Sequence, residues 1–245
     1  MDLEHAVQPK QYILHLYYKP LLKRGQDIFY QPIDFALKTL IISIEQMFVY
    51  RGAIMIDVYK KCPVFEDSSY TLRMVTTDDC LDLLKVYSDV KAVPLFNSDN
   101  CGGDDFYYTT ETRMMEAIKY WLWEYSRQGF VRWSIIDNKK NEAVGTIELF
   151  HRGANDYFTN CGLLRLDLRS DYELSAEIIK ILTLIIAPTF ELFDCDKIAT
   201  KANPEAVERI KALNDLGFYL SDEKLIGHDG TEYINYFVLH KGSTK

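Results

Sequence analysis

The chain predicts a mixed α/β domain preceded by an N-terminal extension. Three observations predict it. From residue 70 onward, stretches with period two alternate with stretches of helical period. Cap and turn signals separate them. The composition, 48% hydrophobic and 26% charged over 245 residues, suits one large domain with an ample core.

Residues 1–54 stand apart. They are rich in Tyr, Phe, Ile and Leu, carry Pro9, Pro20 and Pro32, and hold six basic against five acidic side chains. Asp34 to Tyr50 is expected to form an apolar-faced helix; the remainder shows no clear period. Two readings stay open. The extension is a helical appendage on the domain, or it lies upstream of a native start at Met55. Arg51-Gly52-Ala53 can be encoded by a purine-rich stretch like a bacterial ribosome-binding site. The domain boundaries are therefore placed at 1–54 and 55–245.

The elements then follow in order. "YTLRMV" alternates as a strand, and "TTDDCLDLLKVYSD" opens a helix at a Thr/Asp cap. "PLFNSDNCGGDDFYYTT" is a loop with Gly and Asx signals. Glu111 to Arg127 spaces Met114, Ile118, Trp121 and Tyr125 as a helix that Gly129 ends. "FVRWSIID", a turn at "NKKN" and "AVGTIELF" form a hairpin. "CGLLRLDL" is a strand, and Leu174 to Leu192 a long helix interrupted near Pro188. "KIATKA" is a strand, Pro204 opens a helix that runs to Gly217, and "EYINYFVL" is the last strand.

Bulk properties exclude some functions. Net charge is −8, and no Lys/Arg cluster supplies the basic face of a nucleic-acid binder. No apolar run approaches the roughly 20 residues that span a bilayer; Thr39 to Ile44 is flanked by Lys38 and Glu45. The five cysteines include no C-x-x-C pair, so free thiols, a cytoplasmic location and no metal are expected.

The residues "YTLRMVTTDD", "WSIID…EAVGTIEL" and "IATKANPEAVERIKALNDLGF", in this element order, resemble the GNAT acetyltransferase superfamily over residues 56 to 240. The likeness is greatest to the branch that acetylates ribosomal-protein N-termini. It implies a central mixed sheet with helices on both faces. It also implies acetyl-CoA as co-substrate, lying where strands 161–168 and 197–202 part, with its pyrophosphate on the amides that open the next helix. A base would deprotonate a primary amine on a small molecule or peptide. A strand N–H would polarise the thioester carbonyl, and an acid would protonate the leaving thiolate. On this resemblance Leu166, Leu168, Arg169, Ser170 and Asn203 are the cofactor-binding candidates.

The sequence departs from the family in two places. The pyrophosphate loop is Q/R-x-x-G-x-G/A. Its glycine positions here hold Tyr172 and Leu174, or Glu173 and Ser175 in the neighbouring register. Ser170-x-x-Glu173 instead reads as a capping box that fills the helix's own amides, and first-turn acids repel phosphate. The family's N-x-x-S in the following helix falls on Ala206 and Arg209. An alternative function follows: a GNAT-like ligand-binding or interaction module that has lost CoA binding.

Candidate chemistry rests on few side chains. Arg165 and Asp167 alternate with leucines on a central strand, with Glu148 on the strand before. They form an ion-paired lining, or Glu148 or Asp167 is a general base of raised pKa. The resemblance implies a tyrosine as the acid for the thiolate, usually from the helix after the fourth strand; that helix, Glu205 to Leu216, has none, which leaves Tyr172 as the candidate. The resemblance implies that the loop between the first two helices shapes the acceptor site, where Phe96, Asn97, Asp99, Tyr107 and Tyr108 would hold an amine by charge and aromatic contact; the other reading is a solvated loop with a few buried aromatics.

Overall fold

In the computed structural model of the chain, the described residues are 18–24, 27–32 and 57–243. The chain divides into two compact units, Met1–Ile54 and Met55–Lys245. In the first, β1 (Tyr18–Arg24) and β2 (Asp27–Pro32) pair antiparallel. Their register slips between Pro20 and Leu22, next to the one residue of the run with no N–H to donate. That proline hides the strand from a period search. The helix expected over Asp34 to Tyr50 lies outside the described residues.

The second unit is built on an eight-stranded mixed sheet. Its strands are β3 (Phe65–Glu66), β4 (Tyr70–Met74), β5 (Val131–Asp137), β6 (Glu142–Arg152), β7 (Cys161–Leu168) and β8 (Lys197–Lys201), followed by β9 (Tyr219–Leu220) and β12 (Tyr236–His240). In space the order is β3-β4-β5-β6-β7-β8-β12-β9, and all pairs are antiparallel except β7 with β8. A short ribbon of β10 (Leu225–Ile226) and β11 (Glu232–Tyr233) lies outside the large sheet. The strand expected over "EYINYFVL" is thus two strands, divided at Asn235, whose φ is 68°.

Among the described residues of this unit, four α-helices connect the strands: α1 (Cys80–Tyr87), α2 (Glu111–Ser126), α3 (Ser175–Leu192) and α4 (Val207–Asp215). The main core gathers α3 and α4 onto one face of the sheet, through Ile178, Ile181, Ile185, Ala212 and Leu213. A second core gathers α1 and α2 onto the other face, through Leu83, Val86, Met114, Ile118 and Trp121.

Local chemistry sets the helix ends. The Thr76 and Asp79 side chains and backbones exchange bonds in a capping box ahead of α1. The Thr110 hydroxyl accepts from the Arg113 amide to start α2. At the far end of α2, Gln128 takes the left-handed turn (φ 62°), while the Gly129 amide reaches back to the Glu124 carbonyl at 2.9 Å. Gly129 serves by its small size: a Cβ there would come within 2.1 Å of the Glu124 carboxylate. The break expected at Pro188 does not occur, and α3 runs through it. Burial of Ile185, Ile186, Thr189 and Phe190 against the sheet outweighs the lost backbone bond. The last helix begins at Val207 rather than Pro204, because Asn203 forms a turn, its Oδ1 accepting from the Glu205 amide.

Candidate functional site

The site grows from the register of three strands. Arg132 pairs with Glu148, and Glu148 with Arg165; one row on, Ser134 pairs with Thr146, and Thr146 with Asp167. Directly opposite residues share a face, so these two polar rows lie together on the α1/α2 side. The intervening rows, Trp133–Ile147–Leu166 and Val131–Leu149–Leu164, face α3 and α4. Gly145 lets β7 approach, since a Cβ there would meet the Asp167 carbonyl at 2.3 Å.

The polar rows are buried and nearly saturated. Glu148 is 1% exposed and is held by both Arg132 and Arg165. Burial pushes its pKa up, but the two guanidiniums outweigh that and hold it below the ordinary glutamate value. Both Glu148 oxygens are thus engaged in ion pairs, and its pKa is lowered rather than raised. Asp167 differs. It is fully buried, and burial lifts its pKa above the ordinary value despite Arg132 at 3.1 Å. Its Oδ2 accepts from the Tyr87 hydroxyl at 2.7 Å, while Oδ1 has no partner. With no exposed surface, it has no direct route for a substrate proton.

Beside Arg165 and Glu148 opens a cavity of about 920 Å³. Aromatic walls come from Tyr108, Trp121, Phe130 and Phe150, and acids from Asp104, Glu116 and Glu124. A smaller space of about 380 Å³ adjoins it and shares Asn100, Phe150, Arg152, Arg165 and His228. Phe106, in the wall of the larger cavity, is a bulky residue at φ 61°. Its packing 6.4 Å from both the Tyr87 and Tyr108 rings holds that strained backbone in place.

The amine-site candidates separate. Tyr108 lines the large cavity, its hydroxyl on Asp104 at 2.9 Å and the Arg113 guanidinium 4.4 Å over its ring. Asp99 lines the smaller space, with both carboxylate oxygens on Lys201 Nζ at 2.6 and 2.7 Å and one accepting from the Tyr236 hydroxyl. Phe96 packs 5.4 Å from Tyr87, and Asn97 is buried with its Nδ2 on Tyr236; neither lines a cavity. Tyr107 is exposed and lines neither. The Tyr172 hydroxyl is turned to Asp137 at 2.6 Å, at the end of the β5–β6 hairpin, which removes it from both spaces.

The cofactor candidates follow the last β7–β8 pair along the two strands, and each has its own partner. The parallel pairing ends at Leu164 with Thr200, and β7 continues to Leu168. The Leu166 carbonyl, beyond that point, accepts from Arg209 Nη1 at 2.8 Å, and Leu168 is fully buried. Arg169 is bound to Asp171 and Glu142. Asn203 Nδ2 donates to the Pro94 carbonyl. The Ser170 amide donates to Asp89 Oδ2 at 2.9 Å, and the Ser175 amide to Glu208 Oε2 at 2.8 Å.

The expected capping box is not what fills these amides. Glu173 is drawn away to Arg209, and acids distant in sequence take the donors instead. A 3₁₀ turn, Ser170–Tyr172, also spends amides on its own chain: Tyr172 N donates to the Arg169 carbonyl and Glu173 N to the Ser170 carbonyl. With three carboxylates in this place, the residues present do not fit a pyrophosphate as they stand. Sequence reasoning missed Arg132, Asp104 and Arg113. Arg209 carried a signal, a charge three and four residues before the buried Ala212 and Leu213.

Among the described residues, no group of three or more metal-ligating side chains converges, and no helix is long and apolar enough to cross a membrane. All five cysteines are free thiols.

No family model matches the chain, and no curated protein does. Solved structures do. The ribosomal-protein-S5-alanine acetyltransferase of Vibrio fischeri aligns with a TM-score of 0.56 at 14% identity, over 75% of this chain and 99% of its own. RimL, a ribosomal L7/L12 α-N-protein acetyltransferase solved with coenzyme A, aligns with a TM-score of 0.56 at 11% identity, over 74% and 99%. Mycobacterium smegmatis RimJ in complex with CoA-disulfide aligns at 0.53 and 16% identity, over 70% and 81%. The chain has the fold of the GNAT acetyltransferases, matched on their ribosomal-protein branch.

Proposed function

We infer that the chain is an N-acetyltransferase that acts in the cytoplasm on a primary amine, on a small molecule or a peptide, with acetyl-CoA as donor. One observation supports this reading. Arg165, the residue of β7 just past its last pair with β8, lines the cavity together with Glu148, on a fold whose solved neighbours include coenzyme A complexes. The aromatic walls and rim acids suit an ammonium group on an apolar body. Glu148, paired twice, orients Arg132 and Arg165 rather than taking a proton. The acceptor's proton then leaves through the open cavity to water. The donor groove, as folded, holds the chain's own groups.

That filling favours a second reading, a ligand-binding module of the same fold without acyl transfer. The two are told apart by incubating the full chain with acetyl-CoA and a panel of primary amines and N-terminal peptides, with products read by mass spectrometry. An acetylated product carries the first reading. No product from any acceptor, while panel members still raise the melting temperature, carries the second.

A further inference from the structure

Arg209 occupies a position where an apolar residue would be ordinary. It is 1% exposed, in the inward stripe of α4. A buried guanidinium is tolerated only when its donors are satisfied, and here they reach four acceptors. Nε and Nη2 meet the two oxygens of Glu173, each at 2.7 Å. Nη1 donates to the Leu166 carbonyl at 2.8 Å and to the Leu95 carbonyl at 3.2 Å. The Leu166 carbonyl belongs to the stretch of β7 that has already left β8. One side chain therefore stands in the parting of the strands and ties together β7, the turn before α3, α4 and the loop before Phe96. Around it, Asp89 covers the Ser170 amide, Glu208 covers the Ser175 amide, and Asn203 holds the Pro94 carbonyl.

We propose that the Arg209–Glu173 pair is a latch that closes the β7–β8 groove with the chain's own groups, and that acyl-CoA enters only when the pair separates. The guanidinium satisfies the strand carbonyl, and the carboxylates satisfy the amides, that a CoA arm and pyrophosphate would otherwise use. The inference rests on the acyl-CoA donor of the reading above. It accounts for a GNAT fold with no glycine in the turn: the turn is shaped to meet Arg209, not phosphate.

The test is calorimetric titration of CoA into the full chain, comparing wild type with the double variant Glu173→Gln/Arg209→Met and with Glu208→Ala. The double variant removes both charges at similar volume, which a buried pair tolerates better than loss of one partner. Circular dichroism melting checks that each protein is folded. A competent state that is a minor fraction in wild type lowers apparent affinity by that fraction, so opening the latch should tighten CoA binding by at least about tenfold. Glu208→Ala should give a smaller gain in the same direction. Should the double variant not fold, Arg209→Lys replaces it, keeping a charge beside Glu173 without the fork that spans four acceptors. Equal affinity in wild type and variants overturns the latch and leaves the donor reading standing. No binding in any folded protein overturns both.

Discussion

Across β5, β6 and β7 the two faces of the sheet are one residue out of phase and opposite in chemistry. Toward α3 and α4 the strands present Trp133, Ile147, Leu164 and Leu166; toward α1 and α2 they present Arg132, Thr146, Glu148, Arg165 and Asp167. Both faces are buried. The first is held by area removed from water, which is non-directional and tolerates adjustment. The second is held by matched charges in which each group depends on its partner. It is the second face that leaves a cavity of about 920 Å³ beside it.

The largest expected effect comes from breaking the polar face at its centre. Arg132→Met leaves Glu148 and Asp167 without the cation they share and should cost about 3–5 kcal/mol, read from urea unfolding. Adding Asp167→Leu should recover part of that loss, because one uncompensated charge is gone. A double variant as unstable as the single one would show that packing, not charge, holds this row. On the apolar face, Leu164→Ala should cost about 3 kcal/mol through lost burial and the cavity left behind. It should do so equally at all pH values between 5 and 8, and a pH-dependent loss would blur the contrast between the faces.

The smallest effect is a change in pH profile. Asp167 has a raised folded-state pKa, so its favourable contribution is present below the ordinary carboxylate value and is lost as pH rises through the folded value. Glu148 has a lowered one, so its contribution is present above the ordinary value and is lost as pH falls through the folded value. Asp167→Asn should therefore flatten the decline on the alkaline side of the ordinary carboxylate range and leave the acid-side decline in place. Urea midpoints followed against pH check this. A variant profile parallel to wild type on both sides would mean that Asp167 does not titrate.

Much of this contrast is legible in the sequence. "LLRLDL" shows two charges alternating with leucines, so one face of β7 had to be polar and the other apolar. That Arg165 meets Glu148 followed from adjacent strands of a hairpin-like run. That Arg132 sits between Glu148 and Asp167 did not, because it depends on the register of a third strand. Tyr172 illustrates a different limit. The resemblance suggested it as the thiolate's acid, but after the 3₁₀ turn at Ser170–Tyr172 its hydroxyl meets Asp137.

By itself the sequence determined the alternation of the main strands and helices from Tyr70 onward, the missing glycines after β7 and the polar phase of the central strands. Those depend on period and on short-range caps and turns, which a chain specifies within a few residues. Only the tertiary structure decided what fills the groove. Glu173 and Arg209 are 36 residues apart, and Ser170 and Asp89 are 81 apart. A charge finds its partner by where the folded backbone brings it, and no local pattern records that distance.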